Sequence, residues 1–367
     1  MSKQNLFTKL VSFVEQELFL NTSERKSLAV DDSLWELALE HQVASLMASS
    51  TYRLIHWQKD ALREVYYLNK TQEIQDALKK QGIHVHRLKG SLLAKEYPRK
   101  GLRRFRDVDL LAHPKDLDAI DRHLKSQNYE VVSSRGVLGC FPEGKGNHVI
   151  AATKGVDALN YRYKDYHLEI HTSIIPKLIG NYNIEWRGRS SRGQSYNEDI
   201  LAHLMFHATR HHFLFGLRHL IDIAIWINSK KPNLRTLEDK LHTYDLFGVA
   251  YPAWMLSHKM FPRVVPSPIG CPNKFTLKYT RKMSQTFFKI PIVANSLAYS
   301  PLPCVLMRRQ KFRQLVSVMF GVKGKRTYEI GDKQPFFKAV IWYLCRPWQL
   351  FKRHWRTVLI WGRFMRG

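Results

Sequence analysis

Acidic residues are scarce in this chain. Only 31 Asp and Glu stand against 58 Lys and Arg in 367 residues, a net charge of +27. That imbalance points to anionic partners and carries no information about fold. Cysteine is sparse too. The four present (Cys140, Cys271, Cys304, Cys345) lie far apart, with no Cys-x-x-Cys pair. No disulfide framework is visible, and the pattern fits a reducing cytoplasm. No run of about 18 uncharged apolar residues exists, so no spanning helix is expected. The N-terminal stretch MSKQNLFTKLVSFVEQELFL has acids inside its apolar part and no small-residue cleavage site, unlike a signal peptide. Repeats and low-complexity tracts are absent.

What is present is enough for a folded protein. Hydrophobic residues make up 44% of the chain and aromatics 12%, and the length allows two or three lobes around sizeable cores. The charge is unevenly placed. From Tyr251 to Gly367 there are 22 Lys and Arg against two acids, Glu329 and Asp332. The last third therefore holds 20 of the 27 net charges, and residues 1–250 are only mildly basic. Four regions follow: a helical prefix (1–80), a compact core (81–180), a helical lobe (181–250) and a basic, mostly helical C-terminal region (251–367).

In the prefix, Asp31-Asp32-Ser33 precedes Leu34, Leu37, Ala38 and Leu46 at roughly helical spacing, an N-cap followed by a helix. A second helix is predicted over 58–80, with Leu62, Val65, Leu68 and Leu78 as its apolar positions and Gln81-Gly82 as its stop. The prefix is expected to pack on the sheet. The core reads as strand (83–88), helix (91–97), strand (108–112), helix (114–127), strand (129–133) and strand (166–174). Pro114 suits a first helical turn, and Leu117, Ile120 and Leu124 mark that helix's buried stripe. Residues 133–148 contain Gly-Lys-Gly. A phosphate loop is one reading, but no Lys-Ser/Thr ending follows, so a surface loop is preferred. Beyond Phe247, Pro252, Pro262, Pro266, Pro268 and Pro272 predict a loop-rich connection.

The chemistry concentrates between Leu88 and Ala112. In a strand, alternate side chains share a face, so Asp107 and Asp109 would point together with Val108 and Leu110 behind them. Two like charges on one face repel unless a cation lies between them, and hard carboxylate oxygens suit Mg²⁺, with Mn²⁺ as the alternative. Lys89-Gly90-Ser91 follows a strand and opens a helix. Gly90 permits close backbone approach, and helix-start N–H groups meet phosphate well. A phosphate cradle beside a two-carboxylate metal site is equipment for phosphoryl or nucleotidyl transfer. Further on, His203, His207 and His211 are spaced four apart on one helix face. Such pairs bind zinc when other ligands complete the set. None is evident, so a helix lining the cleft or the solvent is preferred.

These residues resemble the bacterial uncharacterised nucleotidyltransferase family. Its members read as a strand, Leu-Lys-Gly, a helix, an Arg, Asp-x-Asp-Leu-Leu and later Glu-x-His. Here those are Leu88-Lys89-Gly90, Arg103, Asp107-Val108-Asp109-Leu110-Leu111 and Glu169-Ile170-His171. The resemblance covers about residues 30–230. It implies an α+β fold, a small mixed sheet flanked by helices, and an NTP as substrate. It makes Glu169 the third carboxylate, holding metal with Asp107 and Asp109. His171 would then contact a phosphate or a metal-bound water, or orient Glu169. Lys89, Gly90, Ser91 and Arg103 would meet the phosphates. The family's His-rich helix and Leu-Arg-x-x-x-Asp stretch add His207, Arg218 and Asp222 as nucleotide contacts. One departure is the gap of fifteen residues between Ser91 and Asp107, longer than usual, whose basic insertion reads as extra phosphate contacts or a long loop.

The implied reaction is metal-dependent transfer of an NMP from an NTP to an acceptor hydroxyl, releasing pyrophosphate. The acceptor is open: a glycan precursor, a small molecule, a protein or an RNA. The rival is a non-catalytic nucleic-acid-binding protein on an inherited fold, supported by the charge and opposed by the three carboxylates. The segment 336–367 carries Trp348, Phe351 and Trp355 on one side and Lys352, Arg353 and Arg356 beside them. Its apolar face is expected to pack on the helical lobe. Its basic arc is read as meeting an anionic membrane surface in preference to RNA, which would place a cytoplasmic protein peripherally at the inner membrane.

Overall fold

The computed structural model describes residues 2–20, 22–24, 29–48, 53–136, 139–142, 156–175 and 196–289, with Cys304 and Met307. The expectations for 336–367 lie outside the described residues.

The chain enters through α1 (Lys3–Phe19), α2 (Asp32–Glu40), α3 (Ala44–Ala48) and the long α4 (Leu54–Lys80). Asp31 caps α2 by accepting from the Leu34 N–H at 2.8 Å, which satisfies one of the donors a helix start leaves open. Gly82, with φ +77°, carries the chain out of α4 through a conformation that costs glycine little.

The sheet then forms from β1 (Val85–Leu88), β2 (Val108–Ala112), β3 (Glu130–Gly136), β4 (Gly139–Pro142), β5 (Val156–Tyr163) and β6 (Tyr166–His171). Their spatial order is β1-β2-β6-β5-β3-β4. Only β2 and β6 run parallel; the other neighbours are antiparallel. A short helix, α5 (Lys89–Leu93), follows β1, and α6 (Leu117–Ser126) joins β2 to β3. The helical part continues with α7 (Tyr196–Arg210), α8 (Leu217–Lys230), α9 (Leu234–Thr243), α10 (Phe247–Met260) and α11 (Lys274–Thr286). This is an α+β fold with a small mixed sheet flanked by helices. Among the described residues no helix is long and apolar enough to cross a membrane.

Strand alternation separates two cores. Val108, Leu110, Ala112, Leu168 and Ile170 pack with Tyr67, Ile74 and Leu78 of α4 and with the Leu117–Ile120–Leu124 stripe of α6. On the other face, Leu88 and Leu111 join a larger helical core with residues of α1–α3, α7, α8 and α10. The prefix is therefore divided. Only α4 lies on the sheet's first core, whereas α1–α3 pack with the later helices. Within α4 the buried positions are Glu64, Tyr67, Thr71, Ile74 and Leu78, while Leu62 and Val65 are exposed. The apolar sequence positions of that helix misplace its inner face because Glu64 and Thr71 are buried through hydrogen bonds instead. Glu64 accepts the Gly101 N–H at 2.8 Å, and Thr71 shares a hydrogen with Tyr166 at 3.0 Å.

Two other expectations are corrected. The stretch read as a surface loop from Ser133 holds the end of β3 and all of β4, paired from Ser133–Pro142 to Gly136–Gly139. Pro252 lies inside α10 and not in a loop. Proline leaves the carbonyl four residues back without its helical donor. That carbonyl, of Gly248, accepts from the Thr276 hydroxyl at 3.4 Å.

Candidate active site

The register brings the site together. Leu88 stands opposite Asp109 across β1 and β2, and Asp109 stands beside Glu169 across the parallel pair β2 and β6. Period-two alternation sends Asp109, Glu169 and His171 to the sheet face away from Val108, Leu110, Leu168 and Ile170. Immediately after β1, Lys89 takes a left-handed backbone conformation, φ +47°, unusual for a side-chain-bearing residue. The turn places its ammonium 2.6 Å from Asp109 Oδ1. His171 Nε2 lies 2.8 Å from the same oxygen and 3.4 Å from Glu169 Oε2.

Asp109, Glu169 and His171 are all buried. A buried carboxylate is costly unless compensated. Burial works to raise the Asp109 pKa, but Lys89 and then His171 outweigh it and hold the carboxyl below its usual range. The same exchange runs in reverse at Lys89: burial disfavours its charge, yet Asp109, Glu169 and Asp107 together raise its pKa. His171 follows suit, its burial outweighed chiefly by Glu169. The result is a buried pair of carboxylates with the Lys89 ammonium set against Asp109. Donor atoms of Asp109, Glu169 and His171 approach closely enough to share one metal ion.

Asp107 precedes β2 and keeps contact with solvent. Its surroundings withdraw it partly from water, and this, followed by repulsion from Asp109, raises its pKa. It stands outside the tight cluster but within electrostatic reach of Lys89 and Arg218.

The other sequence-predicted residues divide. Gly90 and Ser91 are buried. The Ser91 hydroxyl donates to the Leu88 carbonyl at 3.2 Å, and a Cβ on Gly90 would fall 2.6 Å from the Phe105 Cβ. The absent side chain of Gly90 thus makes room for Phe105. Arg103 and Asp222 engage each other, with Arg103 Nε and Nη2 donating to the two Asp222 oxygens at 2.6 and 2.7 Å. Tyr97 adds a third bond to Asp222 at 2.8 Å. The long insertion is thereby tied to α8 through Arg103 and to α4 through Gly101. Arg218 is half-buried. It donates to the Arg104 carbonyl at 3.2 Å, lies 4.2 Å over the Phe215 ring, and has a buried Nε with no partner among the described residues. Burial, then repulsion from Arg103, lowers its pKa to about 9.

A cleft beside the cluster is lined by Lys89, His171, His203, His207, Arg210 and His211. The face shared by the α7 histidines therefore lines this cleft, as their spacing indicated. His207 lies 4.5 Å from His211 between ring centroids and 5.3 Å from His219 on α8. Burial first, and nearby basic groups second, lower the pKa of three of these histidines. The His203 pKa is lowered to about 3, and His207 and His219 fall well below the usual value. Sequence reasoning missed His219 and Arg210. His219 sits next to Arg218 and one helical turn from Asp222, so its spacing was the available signal.

No curated protein and no solved structure matches this chain. A family model described as "Uncharacterised nucleotidyltransferase" matches residues 30–262, which takes in the whole cluster around Asp109 and most of the helices that cover it. With over half of its length matched, the chain belongs to that nucleotidyltransferase family.

Proposed function

We propose that the chain transfers an NMP from an NTP to an acceptor hydroxyl, releasing pyrophosphate, with a divalent metal held by Asp107, Asp109 and Glu169. The observation that carries this reading is the register pairing of Asp109 with Glu169, buried side by side with Lys89 at 2.6 Å from Asp109. The donor set fits a divalent ion: the Asp109 and Glu169 oxygens converge with His171 in a buried site, and Asp107 stands beside it. When bound, the ion supplies Lewis-acid neutralisation of the triphosphate.

The chain's own residues do the rest. Lys89, freed from Asp109, follows the charge that develops on the departing pyrophosphate. The backbone N–H groups at Gly90 and Ser91 face the phosphates. Arg218, half-buried and short of partners, adds a second cation near Asp107. Glu169 takes the proton from the acceptor hydroxyl as it attacks the α-phosphorus in line. His203 and His207, with lowered pKa values, line the cleft where an uncharged part of substrate is held. Arg103 and Asp222 act at one remove, by fixing the insertion against α8, with Arg218 within electrostatic reach of Asp107.

The test is incubation of full-length protein with each α-³²P-labelled NTP, a divalent metal and a cell extract. Label is expected in an acceptor, and is expected to disappear with Asp109→Asn and Asp107→Asn. Transfer at the wild-type rate by the double variant would remove these carboxylates from the reaction. Salt-sensitive RNA binding that ignores metal, with no labelled acceptor, would favour the non-catalytic reading.

A further inference from the structure

The donor atoms near Asp109 do not all match a magnesium site. Two are carboxylate oxygens, but the third is an imidazole nitrogen, Nε2 of His171. It lies 2.8 Å from Asp109 Oδ1 and 3.4 Å from Glu169 Oε2. Ligands bound about 2.0–2.2 Å from one ion lie roughly 3–3.5 Å apart when they occupy adjacent positions. The spacings seen are close to this range without any rearrangement of the strands.

Three features suit His171 to this role. It ends β6, where Leu111 of β2 and Ala158 of β5 pair with it on either side. Its ring is buried. And it lines the same cleft as Lys89, so the residue borders an opening to the outside.

We infer that His171 Nε2 is a direct metal ligand, completing an Asp109–Glu169–His171 set of mixed nitrogen and oxygen donors, and that the site therefore selects Mn²⁺ over Mg²⁺. This rests on the nucleotidyltransferase reading only in taking the site to be a metal site; it changes which residues bind and which ion is preferred. The chemistry follows from the donors. Magnesium favours all-oxygen surroundings and retains its water, whereas imidazole nitrogen raises affinity for transition ions. In the metal-free cluster, Asp109 Oδ1 has the His171 Nε2 contact at 2.8 Å and the Lys89 ammonium at 2.6 Å. An ion at the centre replaces the first and displaces the second. Asp107, more exposed and outside the triad, is left to act on a second ion brought by the nucleotide or on the nucleotide's own position.

The experiment uses full-length protein without nucleotide. Mn²⁺ binding is measured by the loss of its free-ion EPR signal, and Mg²⁺ by competition against it. Wild type is expected to hold Mn²⁺ at least tenfold more tightly than Mg²⁺. Pulsed EPR of bound Mn²⁺ should show ¹⁴N coupling from one imidazole. His171→Gln should abolish that coupling and reduce the preference to within about threefold, because the amide oxygen replaces a nitrogen donor by an oxygen. His203→Gln, on a neighbouring histidine of the same cleft, should leave both unchanged. Equal affinities for the two ions, no bound Mn²⁺, or no ¹⁴N coupling in the wild type would each overturn the inference, and these need no variant to fold. Coupling that survives His171→Gln would overturn it also. Failure of nucleotidyl transfer alone, with ¹⁴N coupling present, would instead count against the proposed reaction.

Discussion

Lys89 and His171 share one acceptor: the ammonium and the imidazole Nε2 reach Oδ1 of Asp109 at 2.6 and 2.8 Å. They come from opposite sides of β2, one from the turn after β1 and the other from the end of β6. Lys89 and then His171 thereby offset the cost of burying the Asp109 carboxylate.

Removing Lys89 should therefore destabilise the metal-free protein. Breaking a buried pair by deleting one partner typically costs about 3–5 kcal/mol. Lys89→Met is expected to lose an amount of that order in urea denaturation. Millimolar Mn²⁺ should restore most of it, since an ion provides the missing charge. NTP binding, measured in the presence of the same ion, should weaken tenfold or more. Unchanged metal-free stability would mean that Lys89 is not the charge that holds Asp109 and Glu169 together.

Arg103 and Asp222 form a second buried pair, this one bidentate. It ties the insertion after α5 to α8. Asp222→Asn should cost about 3–5 kcal/mol, because a buried guanidinium is left under-compensated. Arg103→Met combined with Asp222→Leu should recover part of that loss. The two single effects would then sum to more than the double effect, which a double-mutant cycle reads directly. Additive losses would show that the pair contributes separately through its other contacts.

The sheet face of this site was legible because alternation is a local rule. Asp107-Val108-Asp109-Leu110 has acids and apolar residues in strict alternation, and β2 appears over the predicted residues. Glu169 and His171 came instead from the family resemblance. The interplay across strands was not legible. Nothing local tells that Asp109 stands opposite Leu88, so the contact of Lys89 with Asp109 could not be read. The engagement of Arg103 with Asp222 was hidden for a similar reason. Both carry the charge expected of nucleotide contacts, but they are 119 positions apart and satisfy each other. Strand β5, residues Val156–Tyr163, was missed because Gly-Lys-Gly and Asn147 before it look like a loop, and its own polar residues weaken the apolar signal. Pro252 was misread because the rescuing hydroxyl comes from Thr276 on another helix.

Gly90 offers a test that separates packing from ligand binding. Alanine favours a helix over glycine by up to about 1 kcal/mol, which argues for stabilisation. The new Cβ, however, would lie 2.6 Å from the Phe105 Cβ, far inside contact distance. Overlap of this kind typically costs about 1–3 kcal/mol and should win. Gly90→Ala is thus expected to lower the Tm of nucleotide-free protein. Phe105→Ala should not rescue it, because the atom first met is the Cβ that alanine retains. An unchanged or raised Tm, together with weakened NTP binding, would return Gly90 to a role in the phosphate cradle alone.

The last prediction concerns acid. His41 is fully buried between Phe7 and Phe287, where it accepts the Leu217 N–H at Nδ1, 3.2 Å away. Burial, partly offset by a backbone hydrogen bond at Phe288, lowers its pKa to about 4. An unfolded histidine titrates near 6.5. Below that value the unfolded chain takes up a proton that the folded chain refuses, so acid favours unfolding. The loss grows as pH falls from about 6.5 to about 4, at up to roughly 1.4 kcal/mol per pH unit for one such histidine. It stops growing once the folded form also protonates. His203 adds a loss of the same sign, since its pKa is lowered to about 3. Above pH 7 neither residue contributes a slope. The measurement is urea denaturation at pH 7, 6 and 5 for wild type and His41→Asn. The variant should begin less stable at pH 7, having lost the fit of the ring, but fall less steeply on acidification. Parallel slopes for the two proteins would show that His41 is not among the groups that couple folding to pH.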